Sequence, residues 1–139
     1  MLRMCGSKIF GMSSAFSDIV LDHYRNPRNA GQFDGANACG RAENAACGDE
    51  MHLYALIEGD VIIRASCKTF GCAPSVAAGS VVTELLCGEK LEDASALGVV
   101  QIEQALGGLP PLKRHAAQLA ADAVRALMSK YDLNTIAKA

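Results

Sequence analysis

The 139-residue sequence contains no tryptophan, and aromatic residues make up only 5% of it. Its core must therefore be filled by aliphatic side chains, chiefly alanine, valine, leucine and isoleucine. No apolar run approaches the roughly 20 residues that a membrane-spanning helix needs, so we expect no membrane association. The formal net charge is −2 and basic residues do not cluster, whereas a nucleic-acid-binding domain usually carries a basic face. These absences indicate an ordinary globular protein that binds neither membranes nor nucleic acids.

The N-terminus also lacks the continuous apolar region of a secretory signal, which bears on how the cysteines are interpreted. A domain of this length has no need of disulfide bonds. In a reducing compartment, cysteines serve as metal ligands, reactive thiols or small buried hydrophobic residues. We therefore expect a cytoplasmic protein without disulfides. The six cysteines are Cys5, Cys39, Cys47, Cys67, Cys72 and Cys87.

The chain has no internal repeat and no interdomain linker, which predicts one folded domain at residues 16–139. The residues before it include Arg3 and Lys8 and no acidic residue. Two basic residues are too few for an organellar transit peptide, which is rich in arginine. We interpret residues 1–15 as a flexible N-terminal extension.

Hydrophobic periodicity predicts antiparallel strands followed by helices, which is the α+β class. Residues 51–57 and 61–67 alternate as two strands around the turn Glu58-Gly59-Asp60, and residues 68–70 can extend the second. Residues 26–44 are rich in Gly, Asn and Ala and are predicted to be mostly loop, with a possible edge strand at residues 40–43. Helices are predicted at residues 17–25, 75–86, 91–97, 100–106 and 112–131.

Cys72 is the first candidate site residue, because a helix is predicted to begin just after it at Ala73-Pro74. The N-terminus of a helix stabilises a negative charge and so favours a thiolate. Gly71 before it permits an unusual backbone conformation. This position favours a metal ligand or a nucleophile over a buried structural thiol.

Cys47 and Asp49 form a second candidate, separated by Gly48 at the start of the first strand. A thiolate and a carboxylate at this spacing can face one ion from a loop, although Gly-Asp is also common turn chemistry. His115 is a third, although a lone histidine beside an apolar stripe is more often a boundary residue than a ligand. With Cys72, these residues could supply four ligands for zinc or iron. No two of them form a CxxC pair, so spacing alone does not establish the site.

Four segments follow one another along the chain: Asp22-His23-Tyr24-Arg25-Asn26-Pro27-Arg28-Asn29-Ala30-Gly31, Ala46-Cys47-Gly48-Asp49, Lys68-Thr69-Phe70-Gly71-Cys72, and Leu109-Pro110-Pro111-Leu112-Lys113 with His115. In this order they resemble the NifU-like (IscU/SufU-type) iron–sulfur cluster assembly scaffold proteins, over about residues 16–131. The resemblance implies a three-stranded antiparallel sheet with helices packed on one face and a long C-terminal helix. It also implies a scaffold that assembles a [2Fe–2S] or related cluster transiently and passes it to apo-proteins, and that is not an enzyme.

The resemblance further implies a ligand set and partners. In the family, three cysteines, an aspartate and a histidine hold the cluster or a zinc ion. Carried over, the metal ligands are Cys47, Asp49, Cys72 and His115. The partners implied are a cysteine desulfurase, apo iron–sulfur proteins, and a DnaK-type chaperone with its cochaperone. In the family that chaperone grips the segment that corresponds here to Leu109, Pro110, Pro111 and Lys113, although a Pro-Pro helix start is the ordinary explanation of such a segment.

Ala116 departs from the family pattern, because the third cysteine, which receives persulfide sulfur from the desulfurase, would stand there. The site can function without it, another cysteine can substitute, or the protein can be a degenerate scaffold that binds partners but no cluster. A cluster that bridges two copies of the chain is a further way to replace the missing ligand. Cys67 is the weaker substitute, since strand alternation groups it with Ile63 and Ala65 in the core. Cys39, in a predicted loop, is the better one.

Two other functions remain open from the sequence. The first is a zinc-binding sulfur acceptor, in which zinc exchanges a ligand with the desulfurase and frees a thiolate to receive sulfur. The second is a metal-free adaptor, which predicts that Cys47→Ser and Cys72→Ser leave function intact.

Overall fold

The structure is a computed structural model that describes residues 16–46 and 48–138, with side chains described up to residue 129. The α+β class, the three-stranded antiparallel sheet and the long C-terminal helix are confirmed. The extension expected at residues 1–15 lies outside the described residues. In chain order the elements are α1 (Asp18–Arg25), β1 (Ala38–Asn44), β2 (Asp49–Glu58), β3 (Val61–Phe70), α2 (Ala73–Leu86), α3 (Leu91–Ser95), α4 (Val99–Ala105), a 3₁₀ turn (Pro111–Lys113) and α5 (His115–Lys138).

The sheet has the order β1-β2-β3, and both strand pairs are antiparallel. A bulge between Leu56 and Ile57 shifts the register of β2 against β3. As a result Ile62 is fully buried while Ile63 is half exposed. Cys67 is a core thiol as predicted, but it shares the inner face with Ile62 and not with Ile63. The prediction that Ile63 lies in the core was wrong because strict alternation takes no account of a bulge.

Helices α2 and α5 contact the sheet, and α1 packs against α2. The core between them is aliphatic, as the scarcity of aromatic residues predicts. On the sheet it comprises Ala38, Met51, Leu53, Ala55, Ile57, Ile62, Ala65 and Cys67. On α5 it comprises Ala116, Ala117, Leu119, Ala120, Ala121, Ala123, Val124, Leu127 and Met128.

Most predicted boundaries lie within two residues of the observed ones, and the largest differences are at β1 and α5. Strand β1 begins at Ala38 and so takes up part of the region predicted to be loop. Helix α5 begins at His115, after a separate 3₁₀ turn, and extends to Lys138. The helix starts later than predicted because Pro111–Lys113 form a tighter 3₁₀ turn, in which the Lys113 N–H donates to the Pro110 carbonyl at 2.8 Å. None of the described helices has the length and apolar character required to span a membrane.

Candidate metal centre

Three elements meet at the end of the sheet where β2 begins. Asp49 is the first residue of β2, Cys72 is the N-cap of α2, and His115 is the first residue of α5. One ligand atom from each of them lies within 4.8 Å of the others. The structure therefore brings together three of the four residues that the sequence singles out as metal ligands.

The Oδ2 atom of Asp49 lies close to the ligand atoms of both other residues. The Cys72 thiol donates a hydrogen bond to it at 3.2 Å, and the Nε2 atom of His115 lies 3.8 Å from it. The Cys72 Sγ and His115 Nε2 atoms are 3.9 Å apart. Asp49 is buried, while the other two side chains are partly exposed. A thiolate, an imidazole and a carboxylate are a donor set that suits zinc or iron.

Gly71 shapes the space around the Asp49 carboxylate. A Cβ atom on Gly71 would lie 2.6 Å from Asp49 Cγ and 2.8 and 2.9 Å from its two oxygens. The sequence predicted an unusual backbone conformation at this glycine, but its φ is not in the left-handed region. The glycine is required because a side chain would displace the carboxylate.

Ser75 is a site residue that the sequence analysis missed. Its hydroxyl is fully buried and donates to Asp49 Oδ2 at 2.6 Å, and it lies 3.4 Å from Cys72 Sγ. The signal in the sequence is its spacing, because residues three apart in the first turn of a helix lie on the same side.

The loop between β1 and β2 carries the fourth predicted ligand. Cys47 lies outside the described residues and stays a prediction. Gly48 adopts a left-handed φ of 77° and donates its N–H to the Asn44 carbonyl at 2.7 Å. This hydrogen bond brings the loop back to the end of β1.

Neither of the proposed substitute cysteines lies at the site. Cys39 pairs with Tyr54 in the sheet and, by alternation, projects from the face opposite the core. It is five residues from the end of β1 at Asn44, a distance of roughly 17 Å along a strand. Burial raises the pKa of Cys67 to about 11, so this thiol stays protonated at neutral pH. Among the described cysteines, only Cys72 belongs to the ligand group.

Ala116, at the position where the resemblance implies a third cysteine, is fully buried in the core. The segment 109–113 lies just before it and precedes α5. Leu112 is 88% exposed, and Pro111 is exposed as well. The other residues predicted to bind a partner, Leu109, Pro110 and Lys113, are partly buried.

The first motif, residues 22–31, fastens α1 to α2. His23 is buried, with its Nδ1 atom 2.7 Å from Ser80 Oγ and its Nε2 atom 3.5 Å from a Glu84 carboxylate oxygen. The backbone N–H of Arg28 donates to the same Ser80 oxygen at 2.8 Å. Burial lowers the pKa of His23, and the nearby Arg28 guanidinium lowers it further. This motif contributes no ligand to the described group and orders the neighbouring helices.

Comparison with known proteins agrees with the resemblance. Residues 15–138 match the family model of the NifU-like N-terminal domain. The iron–sulfur cluster assembly scaffold protein IscU of Escherichia coli (strain K12) is 40% identical over 128 residues, which cover 89% of this chain and 99% of the relative. IscU 1 of Archaeoglobus fulgidus is 40% identical over 116 residues, covering 84% of this chain and 76% of the relative.

Solved structures show the same fold. A putative iron–sulfur cluster assembly scaffold protein for the SUF system from Fervidobacterium islandicum AW-1 superposes with a TM-score of 0.66 at 21% identity, covering 85% of this chain and 99% of the other. The N-terminal part of a NifU-like protein from Brucella abortus gives a TM-score of 0.62 at 16% identity, covering 85% and 92%. At these identities the likeness is one of fold alone. Because the family model spans nearly the whole chain, the protein belongs to the NifU-like N-terminal domain family.

Proposed function

We propose that this protein is a scaffold on which an iron–sulfur cluster is assembled transiently and from which it passes to apo-proteins. Membership of the family and 40% identity to proteins named as cluster assembly scaffolds support this function. The observation that carries it is the convergence of Asp49, Cys72 and His115 within 4.8 Å. The protein acts as a carrier, not as an enzyme with a small substrate.

Cys47, Asp49, Cys72 and His115 are the proposed ligands of the cluster. Four ligands suffice for a [2Fe–2S] cluster, and imidazole nitrogen is a known replacement for thiolate on one of its irons. The described substitutes, Cys39 and Cys67, lie elsewhere in the sheet, which favours a site that works without a third cysteine.

The geometry supports both uptake and release of the cluster. The Cys72 thiol must lose its proton when it ligates iron, and the N-terminus of α2 stabilises the resulting thiolate. Asp49 is a hard oxygen ligand, which iron–sulfur units hold less firmly than thiolate sulfur. A site with one such ligand is suited to release its cluster.

Sulfur is proposed to come from a cysteine desulfurase, and the recipients are apo iron–sulfur proteins. Because Ala116 cannot accept persulfide sulfur, delivery must use another thiol of the site, and Cys72 is partly exposed. A DnaK-type chaperone with its cochaperone is proposed to bind the segment of Leu109, Pro110, Pro111 and Lys113, where Leu112 presents an exposed apolar side chain. We place the scaffold domain at residues 16–139, in the cytoplasm.

Zinc is the alternative occupant, because a Cys, Asp and His set is equally typical of zinc sites. The function would then be that of a sulfur acceptor, in which the desulfurase displaces one zinc ligand. Metal analysis of the protein purified without added metal distinguishes the two: iron and sulfide support the scaffold, and zinc alone supports the acceptor.

Asp49→Ala tests the role of the carboxylate. We expect slower transfer of the cluster to an apo-ferredoxin and a longer-lived bound cluster, because the hard, exchange-labile oxygen ligand at which a recipient would displace iron is gone. Absorption in the visible range follows both, and Glu50→Ala is the control, since Glu50 is the next carboxylate along β2 and pairs instead with His52 and Arg41. Unchanged or faster transfer, or a more labile cluster, would contradict this role.

A further inference from the structure

We propose that Ser75 is a positioning residue of the metal centre. Its hydroxyl holds the Asp49 carboxylate toward Cys72 and His115, the two other candidate ligands described. The inference rests on the proposed site. Ser75 lies in the first turn of α2, three residues after the N-cap Cys72, and no part of it is exposed. Its hydroxyl has two neighbours, Asp49 Oδ2 at 2.6 Å and Cys72 Sγ at 3.4 Å, and both are candidate ligands.

The hydrogen bond from Ser75 falls on the oxygen that faces the other ligands. It is the same Oδ2 atom that accepts from Cys72 at 3.2 Å and lies 3.8 Å from His115 Nε2. A carboxylate oxygen has room for more than one bond, so it can accept from Ser75 while facing a metal ion.

Cys72 and Ser75, two of the described donors to Asp49, differ in what happens when a metal binds. The Cys72 thiol loses its proton to become a ligand, which ends its hydrogen bond to Asp49. The Ser75 hydroxyl keeps its proton under all ordinary conditions and can keep donating. Ser75 can therefore orient Asp49 both before and after binding.

The carboxylate is thus restrained on two sides. On one side it lies against the backbone of Gly71, where a Cβ atom would come within 2.6 Å of Asp49 Cγ. On the other side Ser75 donates a hydrogen bond to it. Residues that orient a metal ligand through a hydrogen bond typically contribute 10- to 100-fold to metal affinity. We expect a contribution of about this size from the Ser75 hydroxyl.

Titration with Co²⁺ tests the proposal on the full chain without relying on cluster transfer. Ser75→Ala is expected to weaken Co²⁺ binding by about 10- to 100-fold and to alter the visible bands, which report the ligand geometry. Ser75→Thr, which keeps the hydroxyl, should restore binding. Thermal unfolding of each metal-free variant records any general loss of stability.

Ser80→Ala is the matched control. Ser80 is also a buried serine of α2, and its hydroxyl likewise has two close partners, His23 Nδ1 at 2.7 Å and the Arg28 N–H at 2.8 Å. Neither partner belongs to the site. This variant should lose stability and yet bind Co²⁺ as the wild type does.

The outcomes separate the proposal from the function on which it rests. If Ser75→Ala binds Co²⁺ with wild-type affinity and spectrum, Ser75 is only a structural serine and the proposal is wrong. If the wild type shows no thiolate-to-cobalt band, the site fails and the proposal fails with it. Should Ser75→Ala not fold, the near-isosteric pair Ser75→Thr and Ser75→Val decides: equal affinities overturn the proposal, and tighter binding by the threonine variant supports it.

Discussion

At the scale of single residues, His23 is a buried ionisable group whose surroundings favour its neutral form. Ser80 accepts the Arg28 N–H, and its own proton is then available to His23 Nδ1. Burial and the Arg28 charge lower the pKa of His23, while Glu84 and Asp22 partly oppose them. The histidine in the unfolded chain has a pKa of about 6.5, so below that pH the unfolded state binds the proton more readily than the folded state.

The stability of the protein should therefore depend on His23. Its contribution is complete above about pH 6.5 and is lost as the pH falls from there through the lower pKa of the folded state. Urea unfolding at about pH 7.5 and about pH 5.5 measures the loss, and His23→Gln should reduce it. Equal losses in the wild type and His23→Gln would show that this residue does not set the pH dependence.

Three residues of the site could be predicted from the sequence, and the roles of two others could not. Cys72, Asp49 and His115 were singled out by motifs, although they are far apart in the chain and no spacing links them. Ser75 was missed, and Gly71 was given the wrong reason. Both depend on a contact with the Asp49 carboxylate, which only the arrangement of β2 against α2 creates.

At the scale of elements, Gly40 sets the contact between β1 and α5. A Cβ atom on Gly40 would collide with the backbone nitrogen of Leu127 and would lie 2.6 Å from the Ala123 carbonyl oxygen. Backbone atoms of a helix cannot move aside as a flexible side chain can. The absence of a side chain at this one strand position thus lets α5 lie directly on the sheet.

Gly40→Ala should consequently be strongly destabilising. Overpacking usually costs about 1–3 kcal/mol, and a clash with helix backbone should reach or exceed the upper end. Urea unfolding measures the change, with Cys39→Ala as the control, because Cys39 is the adjacent β1 residue and is partly exposed. A loss below about 1 kcal/mol for Gly40→Ala would mean that α5 is not held this closely.

Helices and strands were predicted well where the hydrophobic periodicity is strong, and less well where packing against other elements sets the backbone conformation. Strands β2 and β3 and helix α2 were predicted from alternation, turn residues and Pro74. Strand β1 was only partly predicted, because its small residues have low intrinsic β-propensity and owe their conformation to contact with α5. The alternation of apolar and polar residues gives no sign of the bulge between β2 and β3.

At the scale of the whole molecule, the fold brings three distant parts of the chain to one end of the sheet. The start of β2, the N-cap of α2 and the first residue of α5 each contribute one donor. The α1–α2 contact and the aliphatic core keep these elements in place. Ala116 lies in that core directly beside His115, so a cysteine there would add a single sulfur atom to a buried position.

We propose that this chain assembles a cluster on Cys47, Asp49, Cys72 and His115, without a cysteine at position 116. Anaerobic reconstitution with iron, cysteine and a cysteine desulfurase tests it, on the wild type, Cys72→Ser and Ala116→Cys in parallel. Visible absorption together with iron and sulfide analysis is the readout. We predict a cluster in the wild type and in Ala116→Cys and none in Cys72→Ser. A cluster in Ala116→Cys alone would contradict the proposed function, because the fold would then be present without the scaffold chemistry.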